Sequence, residues 1–294
     1  MHTASCTARA ALAGNPSDGY GGAVVAVPVP DFTATVTTSP AANCTIRATD
    51  PDLRALLHAT VEAFEDVAGP APPVELTAAT SIPRSVGLAG SSALVIAALR
   101  ALAEPAGRRW NPIELAELAL SVEVDRLRIT AGLQDRLVQA IGRPVLMRFD
   151  PVSFHPVDGA EGIPLFVAWD TTSAESSGTV HGSLRERFDA GERLVHRAMR
   201  DLAECAERAA RALDCGDRDG LAAAMDRSFD LRISIVDVGA PQERLVEVGR
   251  RHGAAVNSAG SGGSVVGLAA DPVDIDDLQR AYTELGAGFV ALGR

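Results

Sequence analysis

The stretch from Pro83 to Leu99, Pro-Arg-Ser-Val-Gly-Leu-Ala-Gly-Ser-Ser followed by Ala-Leu-Val-Ile-Ala-Ala-Leu, constrains this chain more than any other. Small and hydroxyl residues run straight into an apolar helix, predicted to start near Ser91 or Ser92. Glycine lets the backbone approach an anion closely, and successive N–H groups with the positive end of the helix favour phosphate. The commonest phosphate loop places a lysine after its last glycine. This chain has no lysine, and all 27 of its basic residues are arginine. That excludes a Walker-type nucleotide loop, a protein kinase built on a strand lysine and a pyridoxal Schiff-base enzyme. What remains is a nucleotide site made of backbone, hydroxyls, carboxylates and arginine.

A chain of 294 residues exceeds one average core and predicts two closely packed domains. With 47% hydrophobic and 22% charged residues, extensive disorder is not expected. The formal charge of −11 argues against non-specific nucleic-acid or anionic-membrane binding. Small anions remain available as ligands where arginines gather. Cys6, Cys44, Cys205 and Cys215 share no zinc-like or redox spacing, and no apolar run reaches the length of a membrane span. A cytoplasmic protein with reduced cysteines is expected. His58, His155, His181, His196 and His252 show no metal spacing, and His181 beside Ser177-Gly178-Thr179 is a candidate pocket residue.

Along the chain, residues 5–14 and 23–27 read as strands joined across a polar, turn-rich loop, and residues 32–48 as two more strands around a turn near Pro40. Helical spacing runs from Asp50 to about Val67, and Asn111-Pro112 has the form of an N-cap with proline at the first helical position. A further helix is expected from Gln134 to before Gly142, then an edge strand over 144–149. The cluster Pro151, Pro156, Gly159 and Gly162 marks the end of the first domain. The second half predicts a buried strand at 165–169 and a long amphipathic helix over 192–214 with Leu194, Val195, Met199, Leu202, Ala206, Ala209 and Leu213 on one face. Helices at about 217–236, 241–252 and 274–285, a strand and loop over 254–263, and strands at 264–269 and 288–292 complete an alternation typical of an α+β sandwich.

Three loops in one order resemble the GHMP small-molecule kinases: Arg9-Ala-Ala-Leu-Ala-Gly14-Asn15-Pro16-Ser17-Asp18, the central Pro-x-x-x-Gly-Leu-x-Gly-Ser-Ser, and Gly260-Ser261-Gly262-Gly263. Within that family the wording is similar to glucuronokinases, through Gly14 to Tyr20, Ile82 to Ser92, Ala131-Gly132-Leu133-Gln134-Asp135-Arg136, Phe229-Asp230-Leu231-Arg232 and the final Gly-Ser-Gly-Gly. The sequence departs from glucuronokinases at Val256-Asn257-Ser258-Ala259, where they place a lysine. The resemblance implies an α+β GHMP kinase fold of two domains. A ribosomal-protein-S5-like domain would bind nucleotide over residues 1–160, and a ferredoxin-like α/β sandwich would cover 161–294. It implies ATP and Mg²⁺ as cofactors, a small-molecule sugar or sugar acid as acceptor, and a monomer or homodimer. The expected reaction is transfer of the γ-phosphate to the anomeric hydroxyl of glucuronic acid or a related sugar. A kinase for another acceptor such as a heptose, or a non-catalytic ATP- and sugar-binding sensor, is the alternative.

The resemblance also assigns roles. Asp135 matches the catalytic aspartate and Arg9 the cation that steadies the nucleophile or the transferred phosphate. Gly87, Leu88, Gly90, Ser91, Ser92 and Ala93 would cradle the phosphates. Ser92 and Glu123 would hold Mg²⁺, with Asp125 and Glu117 also on or near the helix of Glu123. Asn15, Asp18, Tyr20, Gly260, Ser261 and Gly262 would surround the sugar. Arg136, Arg185, Arg187 and Arg232 are candidate partners for a substrate carboxylate, because the planar guanidinium grips both oxygens.

Overall fold

The structure, a computed structural model, describes residues 1–160, 162–171 and 178–293, and their side chains except those of 178–183. Ser177 and the His181 side chain lie outside the described residues. The elements in chain order are β1 (His2–Ala13), β2 (Ala23–Pro40), β3 (Thr45–Arg47), α1 (Pro51–Ala68), β4 (Val74–Thr80), α2 (Gly90–Ala103), α3 (Pro112–Ser121), α4 (Leu133–Ile141), β5 (Val145–Phe149), β6 (Val152–Pro156) and β7 (Leu165–Trp169). They continue as α5 (Gly178–Asp189), α6 (Arg193–Cys215), α7 (Arg218–Ile233), α8 (Ala240–Arg251), β8 (Ala255–Ser258), β9 (Ser264–Leu268), α9 (Ile275–Glu284) and β10 (Gly288–Ala291). A 3₁₀ turn covers Ser17–Tyr20 and a π turn covers Val122–Arg126.

The chain folds into two compact units, each drawn from more than one segment of the sequence. The first comprises Met1–Ala8, Pro28–Pro83 and Ala89–Gly142; the second comprises Arg9–Val27, Arg84–Leu88 and Arg143–Arg294. The strand β2 belongs to both, because one continuous strand forms where two were expected. Residues 34–40 pair antiparallel with β4 in the first unit, and residues 23–26 pair antiparallel with β5 in the second. Pro28 and Pro30 fall between these two ladders, where their missing N–H groups break neither. The strand β5 is internal, since β6 pairs on its other side, so the expected edge strand over 144–149 is corrected.

In the first unit, β3 runs parallel to β4, and helices α1 to α4 supply the apolar layer. The helix α2 is buried along nearly its whole length from Ser92 to Ala103, as its run of Ala, Leu, Val and Ile demands. The Asp50 side chain caps α1 by accepting from the Asp52 and Leu53 amides. Asn111 caps α3 with Pro112 in the first turn, and its own backbone amide donates back to the Glu114 carboxylate. In the second unit, β10-β7-β9-β8 form an antiparallel sheet. Phe166, Phe229, Leu245, Val256, Leu278 and Tyr282 form its core. Val195, Met199, Leu202, Ala206, Ala209 and Leu213 are buried on α6 as the periodicity requires, whereas Leu194 is 52% exposed and off that stripe. All four cysteines are free.

Candidate active site

The chain enters α2 through strained backbone. Ala89, at the helix N-cap, has φ +61°, and Ser85 has φ +59°, both in the left-handed region that disfavours a Cβ. The helix begins at Gly90, so Ser91 and Ser92 sit in its first turn on different sides. Ser92 is 1% exposed, and its hydroxyl lies 2.6 Å from the Gln139 Oε1. Ser91 is exposed, and its Oγ donates to Glu123 Oε1 at 2.6 Å. The hydroxyl beside the acidic residue is therefore Ser91, in place of the Ser92 that the family resemblance implies. Gln139 on α4, which sequence reading missed, donates to the carbonyls of Ala89 (2.9 Å) and Thr7 (3.0 Å) and accepts from Ser92. It thereby fixes the turn that opens α2.

Glu123 lies on the π turn that extends α3, where the Leu127 amide reaches back to the Val122 carbonyl at 3.2 Å. Such a widened turn re-aims a side chain and recurs at functional sites. Glu123 is 1% exposed, and its Oε2 accepts from both Nε (2.8 Å) and Nη2 of Arg136. Arg136 Nη1 donates to the Gly132 carbonyl at 2.8 Å and lies 3.6 Å from Asp135 Oδ2. Arg136, 3% exposed, is thus occupied by protein carboxylates, which corrects its expected place on a substrate. Asp135, in the first turn of α4, keeps 23% of its side chain exposed. Asp125 and Glu117 take no part in these bonds.

The second unit carries the other candidates. Arg9 on β1 is 3% exposed, and its Nη1 donates to the carbonyls of Gly87 (2.7 Å) and Ala259 (3.0 Å). Arg232 on α7, also 3% exposed, donates from Nη1 to Gly260 O (2.8 Å) and from Nη2 to Ser261 O (3.0 Å). Its Nε is buried with no hydrogen-bond partner among the described residues. Burial lowers the Arg232 pKa to about 10, against the pull of the Asp18 carboxylate and with Arg9 adding to the depression, so it remains a cation at neutral pH. The late loop also presses on the central one. A Cβ on Gly260 would collide with the Gly87 carbonyl and the Arg9 guanidinium, and one on Gly87 (φ +73°) would collide with the Gly262 backbone. Only glycine fits both places.

Asn15 is buried and turned inward, its Nδ2 lying 3.4 Å from the carbonyls of Ser258 and Gly260. Asn257 Nδ2 donates to the Leu12 carbonyl at 3.0 Å and lies 3.4 Å from Asn15 Oδ1. Asn15 thus ties loops together rather than offering its amide outward, a correction to its expected role. Gln242 on α8, another residue sequence reading missed, accepts from the Gly263 amide at 2.9 Å and donates to the Ser264 carbonyl at 2.9 Å. Asp18 is half-buried in the 3₁₀ turn of the first loop, with Tyr20 ending that turn. The Arg185 guanidinium lies over the Tyr20 ring, 4.3 Å from its centroid, and also bonds the Gly19 carbonyl. Arg187 is bound at 2.8 Å to both oxygens of Glu192 and at 2.6 Å to the Ile235 carbonyl.

The comparisons with known proteins agree with these motifs. The sequence profile of the GHMP kinases N terminal domain matches residues 55–143, and that of the GHMP kinases C terminal matches 202–288. Glucuronokinase 1 of Arabidopsis thaliana is 31% identical over 300 residues, covering 88% of this chain and 82% of that protein. Probable glucuronokinase 2 of the same plant is 37% identical over 202 residues, 64% of this chain; that match spans 54% of the relative's length. Phosphomevalonate kinase of Streptococcus pneumoniae superposes with a TM-score of 0.83 over 99% of this chain and 98% of that one, at 17% identity, a likeness of fold. Among the described residues no helix is long and apolar enough to cross a membrane. The chain belongs to the GHMP kinases, as an ATP-dependent kinase with an alcohol group as acceptor, and the sequence relatives named above are sugar kinases of that family.

Proposed function

We propose that this chain transfers the γ-phosphoryl group of ATP to the anomeric hydroxyl of glucuronic acid or a closely related sugar acid. The observation that carries the acid preference is the placement of Arg185. Of the four candidate arginines, Arg136 and Arg187 are bound to Glu123 and Glu192, and Arg232 holds the late glycine loop. Arg185 stacks on Tyr20 of the first loop and has only the exposed Asp189, 3.9 Å away, as a carboxylate neighbour among the ion pairs of the described residues; with 49% of its side chain exposed, a substrate carboxylate can reach it.

In this reading the backbone of Gly87, Leu88, Gly90 and Ala93, with the Ser91 hydroxyl, receives the phosphates. Ser91 Oγ and Glu123 Oε1 are hard oxygen donors that suit Mg²⁺. Among the described residues no group of three or more His, Cys, Asp or Glu side chains is placed to hold a metal, so phosphate and water oxygens complete the shell. Bound there, Mg²⁺ supplies charge neutralisation on the phosphates. Asp135 orients the acceptor hydroxyl and takes its proton as the new O–P bond forms and ADP departs. Asp18 accepts from sugar hydroxyls. Arg9 and Arg232 keep the glycine loops in place and add positive charge beneath them.

The test is turnover on a panel of sugars, with the phosphate position read by NMR. Glucuronate should exceed glucose in kcat/KM by about tenfold or more, the equivalent of roughly 1.5 kcal/mol for one charge-assisted contact. Arg185→Ala should erase that preference more than it lowers turnover of neutral sugars. Equal or better turnover of a neutral sugar or a heptose overturns the acid assignment and leaves the kinase standing. ATP binding without turnover of any sugar would indicate the sensor alternative.

A further inference from the structure

We infer that Arg136 is a positioning residue that makes the Ser91–Glu123 oxygen pair a cation site only when nucleotide phosphates accompany the ion; this rests on the reading of that pair as the metal donors. Arg136 Nε and Nη2 both donate to one oxygen of Glu123, Oε2, which leaves Oε1 facing the Ser91 hydroxyl at 2.6 Å. The third nitrogen is held by the Gly132 carbonyl at 2.8 Å, so the guanidinium has a single pose. The Glu123 and Arg136 side chains are 1% and 4% exposed, so neither charge is relieved by water.

Two consequences follow from elementary electrostatics. The grip on Oε2 fixes which carboxylate oxygen is presented, and a planar two-nitrogen donor does this where a lysine would not. The guanidinium also offsets the Glu123 charge directly, while Asp135 lies 3.6 Å from its far nitrogen, so a bare divalent cation meets a donor pair backed by a cation. Hard ions are held by negative oxygens. The phosphates of ATP bring that charge with them, and the ion binds together with nucleotide. Asp135, 3.6 Å from Arg136 Nη1, shares the same guanidinium, which ties the pose of that acid to that of Glu123.

The experiment is thermal unfolding of the full chain without nucleotide, in MgCl₂ against NaCl of equal ionic strength. Wild type should show no Mg²⁺-dependent change. R136Q should unfold at lower temperature and recover by about 3 °C with Mg²⁺, the shift expected of a ligand near ten times its Kd. R136K retains the charge but not the double grip. It should stay insensitive to Mg²⁺ alone while needing about tenfold more Mg²⁺ for half-maximal turnover. A wild-type protein stabilised by Mg²⁺ alone, or R136Q that gains nothing from it, overturns the inference. If R136Q does not fold, an unchanged Mg²⁺ requirement in R136K overturns it instead. E123Q, run alongside, separates the two readings. An unchanged Mg²⁺ requirement there removes the metal assignment itself, whereas a raised requirement with R136Q insensitive to Mg²⁺ removes only the role of Arg136.

Discussion

Both units bury arginines, and they use them in opposite ways. In the first, Arg136 meets carboxylates, Glu123 directly and Asp135 at 3.6 Å. In the second, Arg9 and Arg232 bond the carbonyls of Gly87, Ala259, Gly260 and Ser261, and Asp18 supplies an opposing charge felt by Arg232. The first arrangement aims an acid. The second ties thin glycine loops together through their carbonyls. Arginine serves both because its fork of donors matches carboxylates and paired carbonyls alike, which lysine cannot do with a point charge.

The largest expected effect tests whether the acids of the first unit carry the chemistry. Asp135→Asn should lower kcat by about 10²–10⁴ and leave ATP affinity within a few fold, because the carboxylate acts on the nucleophile. Steady-state kinetics with nucleotide binding by calorimetry checks this, and near-normal turnover in the folded variant takes Asp135 out of the mechanism. Next, the two kinds of arginine should break differently. Arg136→Met leaves a buried Glu123 without its partner and should cost about 3–5 kcal/mol of stability, much of it restored in the Glu123→Gln/Arg136→Met double variant. Arg232→Met also discharges a buried cation and should cost less, about 1–3 kcal/mol for the stranded carbonyls. Denaturant melts that rank the two equally would erase the contrast.

Smaller effects separate glycines that look alike in sequence. Gly87→Ala should cost about 2–4 kcal/mol, since it combines positive φ with a collision against Gly262. Gly90→Ala meets only the Ile82 side chain at 3.4 Å and should shift stability by less than about 1 kcal/mol. Ala89→Gly should stabilise by about 0.5–1 kcal/mol, the left-handed penalty of alanine less the extra chain entropy of glycine. Thermal melts of the three variants give the order directly, and a stabilised Gly87→Ala would show that the loops are not in contact.

The motifs were legible because their chemistry is local. A glycine where backbone meets backbone and an Asn-Pro pair that caps α3 each declare themselves within a few residues. The α6 stripe was likewise readable, apart from Leu194. What escaped needed the fold. Ser91 and Ser92 are neighbours about 100° apart around a helix, so which one meets Glu123 depends on the residue at which that helix starts. Arg136 reads as a substrate partner until the π turn swings Glu123 onto it. Gln139 and Gln242 carry no motif, and their worth lies in the carbonyls and amides they close. The helix α5 and the strand β6 lacked strong apolar periodicity, and Pro28 and Pro30 disguised the continuity of β2.

The π turn at Val122–Arg126 changes what a one-residue length difference means in this part of the chain. An ordinary helix that loses a residue becomes shorter and turns its downstream part by about 100°. A helix carrying a widened turn already contains that extra step, so the same loss returns it to regular winding. A relative one residue shorter between Asn111 and Arg126 would then keep a good helix while sending its acid to another compass bearing. Sequence comparison here has to count residues as angles.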